Sequence, residues 1–410
     1  MRSLAVLSMH TSPLAQPGSG DGGGMNVYVR ELSTALARAG VECDVYTRAF
    51  DPEVPAVVPV EPGLRVHHVP AGPLAPVAKE ALPPLVEEFT DGVLTRLERA
   101  GPPDAIHANY WLSGLAGHWL KHRLGLPLVC TFHTLDRVKA EAMPEDVGAA
   151  GPAHRAQAEA SIIECSDAVL ASCPVEADQL VDLYGAERDR IEIVAPGVDH
   201  AFFAPGYRPQ ARRALGLPER GPMLLFVGRI QPLKGADVAV TALAELQGLN
   251  GAFLVVVGGP SGPDGPGEVT RVQRLTAELG LEDRVRFVAP QPHEMLSTYY
   301  RAADVCLVPS RTESFGLAAL EAAACGTPVV GSAVGGLLTL VEHGRTGYLV
   351  EGRDPSRFAA YVAELVTAPE RARAMGQAAA EVARRYTWSI AAGRLRRLYQ
   401  QLTQKQLVEC

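Results

Sequence analysis

Apolar positions along the 410-residue chain follow two alternating periods. Short runs rich in Val, Ile and Leu, typical of buried strands, alternate with longer segments in which apolar residues recur every three or four positions, as in helices. In the first half the runs are LAVLS, ECDVYT, LRVHHV, DAIHAN, LPLVCTF, DAVLAS and RIEIVAP. Residues 25–38 show the helical period, because Tyr28, Leu32 and Leu36 fall on one face. Gly40 then supplies a stop signal.

The second half repeats this alternation without repeating the sequence. Its runs are MLLFVGRI, AFLVVVGG, RVRFVAP, DVCLVPS, PVVGSAV and GYLVEG. Strands alternating with helices predict a parallel, doubly wound sheet in each half. The segment 195–222 is rich in Pro and Gly and is the predicted linker. We therefore predict two α/β domains, residues 1–200 and 201–385, with a C-terminal helix in about 386–410 that packs back on the first.

Composition narrows the classes of function. Hydrophobic residues make up 47% and charged residues 20% of the chain, as in globular domains, and the net charge of −8 gives no general basic surface for nucleic acid. No apolar run is long enough to span a bilayer, so we expect a cytoplasmic protein without a membrane anchor. The seven cysteines never form C-x-x-C and mostly lie in apolar runs, which predicts buried thiols.

The stretch GSGDGGGMNVYVREL, residues 18–32, places a glycine-rich loop between a strand and a helix. Backbone N–H groups at a helix start are free to meet an anion, and glycine allows a ligand to approach the backbone closely. A tight turn without a ligand is the alternative. The spacing departs from G-x-G-x-x-G, which argues against a dinucleotide-dependent dehydrogenase.

Two further loops follow predicted strands. In FVGRIQPLKG, Arg229 and Lys234 are placed to neutralise a diphosphate at the carboxyl edge of a sheet. In VPSRTESFGLAALEAAACGTP, Glu313 lies in a loop before a helix that starts near Gly316, and Glu321 lies about two turns into that helix. The amides of residues 314–317 can hold phosphate oxygens. Taken alone, the E-x7-E spacing is about as compatible with a ligand site as with a Glu313 on a surface loop and a Glu321 on a solvated helix face.

Together these motifs resemble the nucleotide-sugar domain of retaining glycosyltransferases of family 4, which have the GT-B fold of two Rossmann-like, doubly wound domains facing across a cleft. The stretches LSMHTSPLAQPGSGDGGGMNVYV, HANYWLSG, TFHT and GRIQPLKG resemble, within that family, the D-inositol-3-phosphate glycosyltransferases of mycothiol biosynthesis. The resemblance covers about residues 4 to 390.

The resemblance implies two sets of binding residues. Donor-binding residues would be Gln16, Pro17, Gly24, Arg229, Lys234, Gln291, Glu313, Ser314, Phe315, Gly316, Leu317 and Glu321. Acceptor-binding residues would be His10, Asp21, Gly22, Gly23, Gly24, Met25 and Asn26, with Lys79, Tyr110, Thr134 and Arg155 on the acceptor's phosphate. Two cations and two hydroxyl donors suit a phosphate dianion. Gln291 departs from the family, in which an Arg is common at this place.

The resemblance also implies which residues act in catalysis. These are His133, Glu313, Arg229 and Lys234, with His133 near the donor sugar. No cofactor is implied for catalysis, and a magnesium ion would lie near Tyr300, Arg301, Ala303 and Thr327. The family suggests a homodimer.

The function so implied is retaining transfer of N-acetylglucosamine from UDP-GlcNAc to 1D-myo-inositol 3-phosphate. The partners are then a UDP-sugar and a phosphorylated polyol, and no nucleic acid. Three alternatives stay open at this point: a family 4 enzyme with another sugar donor or acceptor, such as a sugar phosphate or a natural product, a UDP-GlcNAc epimerase on the same scaffold, and a sensor that binds the donor without turnover.

Overall fold

The structure is a computed structural model that describes residues 1–18, 20–143, 152–246, 248–262 and 265–410. The chain forms two compact units. Unit 1 comprises Met1–Ala15, Gly24–Gly197 and Trp388–Cys410, and unit 2 comprises Gln16–Gly23 and Val198–Thr387.

Unit 1 alternates strands and helices from its first residues. Its strands are β1 (Ser3–Leu7), β2 (Glu42–Arg48), β3 (Val57–Glu61), β4 (Leu64–Val69), β5 (Ala105–Asn109), β6 (Leu128–Thr131), β7 (Ala168–Ala171) and β8 (Ile191–Ile193). Its helices are α1 (Gly24–Arg38), α2 (Val86–Ala100), α3 (Trp111–Leu124), α4 (Asp136–Ala142), α5 (Pro152–Cys165), α6 (Pro174–Tyr184) and, from the end of the chain, α15 (Trp388–Leu402).

Unit 2 has the same alternation of strands and helices. Its strands are β9 (Met223–Val227), β10 (Phe253–Val257), β11 (Val285–Val288), β12 (Val305–Val308), β13 (Val329–Ser332) and β14 (Gly347–Val350). Its helices are α7 (Arg208–Ala214), α8 (Ala236–Glu245), α9 (Gly265–Glu278), α10 (His293–Ala302), α11 (Leu317–Ala324), α12 (Leu337–Leu340), α13 (Pro355–Thr367) and α14 (Pro369–Ala383).

Both sheets have the strand order of a Rossmann fold. The sheet of unit 2 runs β11-β10-β9-β12-β13-β14, all parallel, which is the order 3-2-1-4-5-6. The sheet of unit 1 runs β3-β4-β2-β1-β5-β6-β7-β8, parallel except for the antiparallel pair β3 and β4. The predicted α/β class is therefore confirmed. The order reverses between β1 and β5 in one sheet and between β9 and β12 in the other.

The central strands are buried on both faces, as continuous apolar runs require. All five residues of β5 and of β10 are buried, and helices cover both sheets with Leu, Val, Ala and Phe side chains. Strand β3 was missed by the sequence analysis, because its residues are half exposed at a sheet edge and include Pro59, which cannot donate a ladder hydrogen bond.

Three sequence-based expectations need correction. The segment 195–222 is not a plain linker, because it contains α7 and because Phe203 is fully buried against His293 and Tyr300. Residues 16–23 were assigned to the first domain but pack in unit 2. Five cysteines are buried thiols as predicted, whereas Cys165 and Cys410 form a disulfide.

Helix α15 completes the core of unit 1. Trp388 packs edge-on against Tyr28 of α1, and the fully buried Tyr399 lies beside His107 of β5. The Tyr399 hydroxyl is 2.8 Å from His107 Nδ1, and Thr131 Oγ1 is 2.8 Å from His107 Nε2. Burial lowers the pKa of His107 to about 3, so the ring is neutral and its two nitrogens suit one donor and one acceptor. None of the described helices is both long and apolar enough to cross a lipid bilayer.

We expect Tyr399→Phe to destabilise the protein by about 1–3 kcal/mol, because a buried ring nitrogen of His107 loses its partner while the packing of the ring is kept. Thermal and urea unfolding would measure this. Tyr207→Phe is the control, since Tyr207 is 67% exposed, and it should unfold like the wild type. Equal stability of Tyr399→Phe and Tyr207→Phe would contradict the assigned role.

Candidate active site

In unit 2 the candidate residues gather at the point where the strand order reverses. Strands β9 and β12 are neighbours, and each is followed directly by a loop that carries predicted site residues. Arg229 and Lys234 follow β9, and Glu313 follows β12. Ligands of open α/β sheets bind at this carboxyl edge, where the flanking loops separate. The two halves of the predicted donor site are thus brought together by strand order.

A half-buried ion pair connects the two loops. Lys234 Nζ is 2.6 Å from Glu313 Oε1, and the Ser310 hydroxyl donates to the same oxygen at 2.8 Å. The side chains of Lys234 and Glu313 are 24% and 12% exposed. Lysine has three N–H donors, so the ammonium can keep this carboxylate while it meets a second anion. Arg229 Nη1 donates to Ser261 Oγ at 3.1 Å, on the loop that follows β10.

The loop that leads into α11 is held by glycines. Gly316 has φ +98°, and a Cβ there would lie 2.7 Å from a methyl group of Leu337. Gly335 and Gly336 pack on the backbone of the Glu313 loop, where a Cβ would lie 1.9 Å from the Glu313 carbonyl oxygen and 2.3 Å from Phe315 Cα. The Gly336 N–H also donates to the Glu313 carbonyl at 2.9 Å. This explains the motif VGG at 334–336: only glycine fits against the loop.

The start of α11 can accept an anion. The first N–H groups of a helix have no partner within the helix, and its dipole is positive there. Ser314, Phe315 and Leu317 provide backbone N–H groups at this turn. Phe315 is 4% exposed, and its ring packs edge-on against Tyr386. This contact holds the turn in place.

Glu321 is buried inside unit 2. Its Oε1 lies 2.7 Å from His293 Nε2, and its Oε2 accepts from the Tyr300 hydroxyl at 2.9 Å. The side chain is 7% exposed. The E-x7-E spacing therefore places the two carboxylates in different environments: Glu313 is held by a cation, and Glu321 by two rings.

The glycine-rich loop packs on the same edge of unit 2. The Gly259 N–H donates to the Gly18 carbonyl at 3.0 Å, and the Gln16 side-chain amide donates to the Gln291 carbonyl. A Cβ on Gly23 would lie 3.1 Å from Arg229 Nε. Residues 16–23, with Pro17 and Gly22 among them, thus lie next to the loops of the predicted donor site. The Gln291 side chain turns back onto the Ala289 carbonyl at 2.9 Å.

In unit 1 the acceptor candidates also lie at the reversal of strand order, here between β1 and β5. His10 follows β1 and Tyr110 follows β5, and their rings lie 4.4 Å apart. Tyr110 has φ +75°, which is uncommon for a residue with a side chain. Its N–H donates to the Thr131 carbonyl at 2.8 Å, and this bond holds the conformation in place.

The three candidate residues at the start of α1 lie in different environments. Asn26 is buried, and its amide donates to Thr11 Oγ1 at 2.7 Å and to the Ser12 carbonyl at 2.6 Å. Its side chain therefore holds the loop after β1. Gly24 is exposed at the first position of α1, and Met25 packs partly against the core.

The structure brings three of the predicted phosphate ligands into contact. Arg155 stacks over the ring of Tyr110, 4.9 Å from its centre, and donates to the Thr134 carbonyl at 2.7 Å. Arg155 Nε also donates at 2.8 Å to Glu159, whose side chain is fully buried. Lys79 Nζ lies 3.6 Å from Oε1 of its neighbour Glu80. Tyr110, Thr134 and Arg155 thus form one contact group.

His133 is a second non-glycine residue with positive φ, +63°. Its Nε2 lies 2.9 Å from Asn109 Oδ1, and the Tyr28 ring meets it edge-on at 4.8 Å. Burial, with a further contribution from His107, lowers the pKa of His133 to about 3. The imidazole is therefore neutral near pH 7 and can act as a dipole but not as a stored positive charge.

The residues implied for magnesium do not fit a divalent cation. Thr327 Oγ1 donates to the Tyr300 carbonyl at 2.6 Å, and the Ala303 N–H donates to the same carbonyl at 3.2 Å. The Arg301 guanidinium donates to the Phe202 carbonyl at 2.9 Å. Magnesium prefers carboxylate oxygens and water as ligands. These four residues have no carboxylate, and the guanidinium of Arg301 would repel the ion.

Two family models match the chain. Residues 23–197 match a glycosyl transferase 4-like domain, and residues 208–382 match glycosyl transferases group 1. The D-inositol 3-phosphate glycosyltransferase 2 of Catenulispora acidiphila is 47% identical over 400 residues, with 95% of this chain and 93% of the relative covered. The D-inositol 3-phosphate glycosyltransferase of Acidothermus cellulolyticus is 48% identical over 396 residues, with 94% and 87% covered. The chain is a family 4 glycosyltransferase.

Solved structures agree with this assignment of the glycosyltransferase. A sucrose-phosphate synthase from Thermosynechococcus elongatus matches with a TM-score of 0.91 at 35% identity, over 98% of this chain and 99% of that one. The Anabaena protein HepE, in complex with UDP and glucose, matches with a TM-score of 0.77 at 18% identity, over 98% of this chain and all of that one, and at that identity it supports the fold alone. The predicted GT-B fold is confirmed.

Sequence analysis missed the residues that hold the glycosyltransferase's charged groups. Ser310 and Ser261 lie beside Glu313 and Arg229, His293 beside Glu321, and Glu159 beside Arg155. Glu159 had a signal, because an Arg and a Glu four positions apart lie on one helix face. The others come from separate loops, and no local spacing relates them.

We expect Arg155→Ala to destabilise the enzyme by about 3 kcal/mol, because it leaves the Glu159 carboxylate buried without its cation. The double variant Arg155→Ala/Glu159→Gln should regain at least about 1 kcal/mol, since the neutral amide can still accept from the Asp136 N–H. Thermal unfolding measures both. Arg123→Ala, at an exposed position of α3, is the control. A double variant no more stable than Arg155→Ala would show that the ion pair is not the cause.

Proposed function

We propose that this enzyme transfers N-acetylglucosamine from UDP-GlcNAc to 1D-myo-inositol 3-phosphate with retention of configuration, as a cytoplasmic step of mycothiol biosynthesis. The observation that carries the proposal is the group formed by Lys234, Glu313 and the start of α11 where the strand order of unit 2 reverses. The names of the relatives, which are 47% and 48% identical along nearly the whole chain, support the acceptor.

The donor's diphosphate is assigned to Arg229, Lys234 and the N–H groups of Ser314 to Leu317. The leaving UDP gains negative charge as the bond to the sugar breaks, and fixed positive groups at that position lower the barrier. Glu313 is assigned to hydroxyls of the transferred sugar and Glu321 to the ribose. Each carboxylate has protein partners, so binding of the donor exchanges hydrogen bonds of the free enzyme for hydrogen bonds to the ligand.

The acceptor's phosphate is assigned to Lys79, Tyr110, Thr134 and Arg155. Arg155 is paired with Glu159 in the free enzyme and Lys79 lies beside Glu80, so each cation would be shared between a protein carboxylate and the phosphate. His10, Asp21, Gly22, Gly23 and Asn26 are assigned to the inositol end, and Gln16, Pro17, Gly24 and Gln291 to the donor.

The proposed chemistry keeps both substrates on one face of the sugar. The bond between the anomeric carbon and the β-phosphate oxygen breaks, and a bond from the acceptor hydroxyl oxygen to that carbon forms. The hydroxyl proton passes to the departing phosphate oxygen. The sugar carries positive charge in between, which the neutral ring and the carbonyl of His133 are suited to stabilise. No protein nucleophile and no metal takes part in this scheme, and we propose a homodimer as the active form.

A second candidate acceptor is a sugar phosphate. The neighbour that is 35% identical is named a sucrose-phosphate synthase, and it covers 98% of this chain. Both acceptors share a polyol or sugar with one phosphate, so the phosphate ligands suit either. The two candidate acceptors differ in the ring that bears the phosphate, which is inositol in one and a sugar in the other.

The deciding experiment is transfer from UDP-GlcNAc by the purified full chain to inositol 3-phosphate, unphosphorylated myo-inositol, glucose 6-phosphate and fructose 6-phosphate. We expect turnover with inositol 3-phosphate alone, and a product whose anomeric proton has the small coupling constant of an α-linkage. Turnover with a hexose phosphate instead would select the second candidate. UDP release with no acceptor would indicate the epimerase, and binding without turnover a sensor.

Two lysine variants should separate the two substrates. Lys234→Ala should lower kcat by on the order of 100-fold and lower the affinity for UDP, because the leaving group loses a cation. Lys79→Ala should raise the KM for the phosphorylated acceptor about tenfold or more and leave UDP affinity unchanged, because only the acceptor's phosphate loses a partner. Steady-state kinetics and calorimetry measure both. Lys405→Ala, exposed after α15, is the control. An unchanged acceptor KM in Lys79→Ala would refute the assigned phosphate site.

A further inference from the structure

Four potential metal ligands come together in unit 1, and none of them is a candidate donor or acceptor residue. His118 and His122 lie on α3, Cys165 ends α5, and Cys410 follows α15. One donor atom from each residue lies within 4.8 Å of the donor atoms of the other three. Within the described ranges, this is the group of His, Cys, Asp and Glu side chains that meets this criterion.

The fold holds these residues in place by a separate buried ion pair. Lys121 Nζ lies 3.0 Å from Asp167 Oδ2 and donates to the Cys165 carbonyl at 2.7 Å. The Val408 N–H donates to Asp167 Oδ1 at 2.7 Å. One charged pair thus connects α3, the end of α5 and the segment after α15. Cys165 and Cys410 are brought together across 245 residues of sequence.

The chemistry and the spacing of the donors fit a tetrahedral zinc site. His118 and His122 are four residues apart, so they lie on one face of α3. His122 Nε2 is 3.4 Å from Cys165 Sγ and 3.3 Å from Cys410 Sγ. Zinc bonds of about 2.0–2.3 Å in a tetrahedron place neighbouring ligands about 3.3–3.8 Å apart. Two imidazoles with two thiolates form a set that zinc prefers over harder cations.

The two sulfurs are joined as a disulfide in the structure, and this is the oxidised form of the same pair. A disulfide by itself needs no histidine, yet two imidazoles lie beside it. Reduction by a thiol or phosphine reductant adds two electrons and two protons and gives two thiols. Metal binding then releases those two protons, because the thiolate is the ligand.

We propose that the reduced cluster of His118, His122, Cys165 and Cys410 binds one Zn²⁺ through four protein ligands. Such a closed site holds structure and activates no water. Helix α3 starts beside Tyr110, about 18 Å from His122 along the helix axis. Helix α5 carries Arg155 near its start and Cys165 at its end. The metal therefore links the far end of α5, which carries Arg155, to the far end of α3, which starts beside Tyr110, and it joins the segment after α15 to both.

The test uses the full chain, reduced with a phosphine and freed of metal, and titrated with Co²⁺. We expect one Co²⁺ per chain, with the near-ultraviolet band of thiolate-to-cobalt charge transfer and the visible bands of a tetrahedral site. One equivalent of Zn²⁺ should displace the cobalt and raise the unfolding temperature by several degrees. It should also protect two thiols from a thiol reagent.

Variants separate this site from general metal binding. Cys410→Ser and His122→Ala should each lower the affinity for Co²⁺ at least tenfold and reduce the rise in unfolding temperature with Zn²⁺. Both positions are exposed, so the fold should tolerate the change. His154→Ala, exposed on α5, and Cys43→Ala, a buried thiol elsewhere, should bind like the wild type. The proposal fails if the reduced chain binds no Co²⁺ or if His118→Ala/His122→Ala binds it unchanged. It also fails if Cys165 and Cys410 stay disulfide-bonded in the presence of reductant and Zn²⁺.

Discussion

Parallel strands whose order reverses send their following loops apart, and this leaves room for a ligand at the carboxyl edge of the sheet. The constraint acts twice in this chain, at β9 and β12 in unit 2 and at β1 and β5 in unit 1. Arg229 and Lys234 follow β9, Glu313 follows β12, His10 follows β1 and Tyr110 follows β5. Residues far apart in sequence, such as Lys234 and Glu313, therefore come within hydrogen-bond distance without any local signal. The site's chemistry depends on that adjacency more than on any single side chain.

The cations of the candidate site are already paired in the free enzyme. Lys234 holds Glu313, and Arg155 holds Glu159. Such pairing keeps half-buried charges stable when no ligand is present, since an isolated buried charge is costly. It also lowers the gain from binding a phosphate, because part of the attraction is already used inside the protein. Selectivity among phosphorylated ligands would then depend more on the hydrogen bonds that each ligand makes with the site than on the ligand's total charge.

Local patterns allowed most of the fold to be predicted, because a strand, a loop and a helix are each specified by neighbouring residues. The glycine-rich loop, the Arg229 and Lys234 loop and the start of α11 were all placed after the correct strands. The edge strand β3 escaped because its pattern is half exposed and contains Pro59. The packing of residues 16–23 in unit 2, the position of His293 beside Glu321 and the pairing of Cys165 with Cys410 escaped for another reason. Each depends on a contact between distant segments, which no spacing along the chain encodes.

The order of the chain has a consequence for synthesis on the ribosome. Unit 1 takes its last helix, α15, from residues 388–402, so its central strand β5 is made long before Tyr399, which closes over His107. The intervening 190 residues of unit 2, Val198–Thr387, must be translated first. During that interval the nascent first sheet exposes apolar surface that only the final helix covers. A truncated chain that lacks this helix would therefore be a substrate for chaperones and proteases, although every strand of both sheets is present in it.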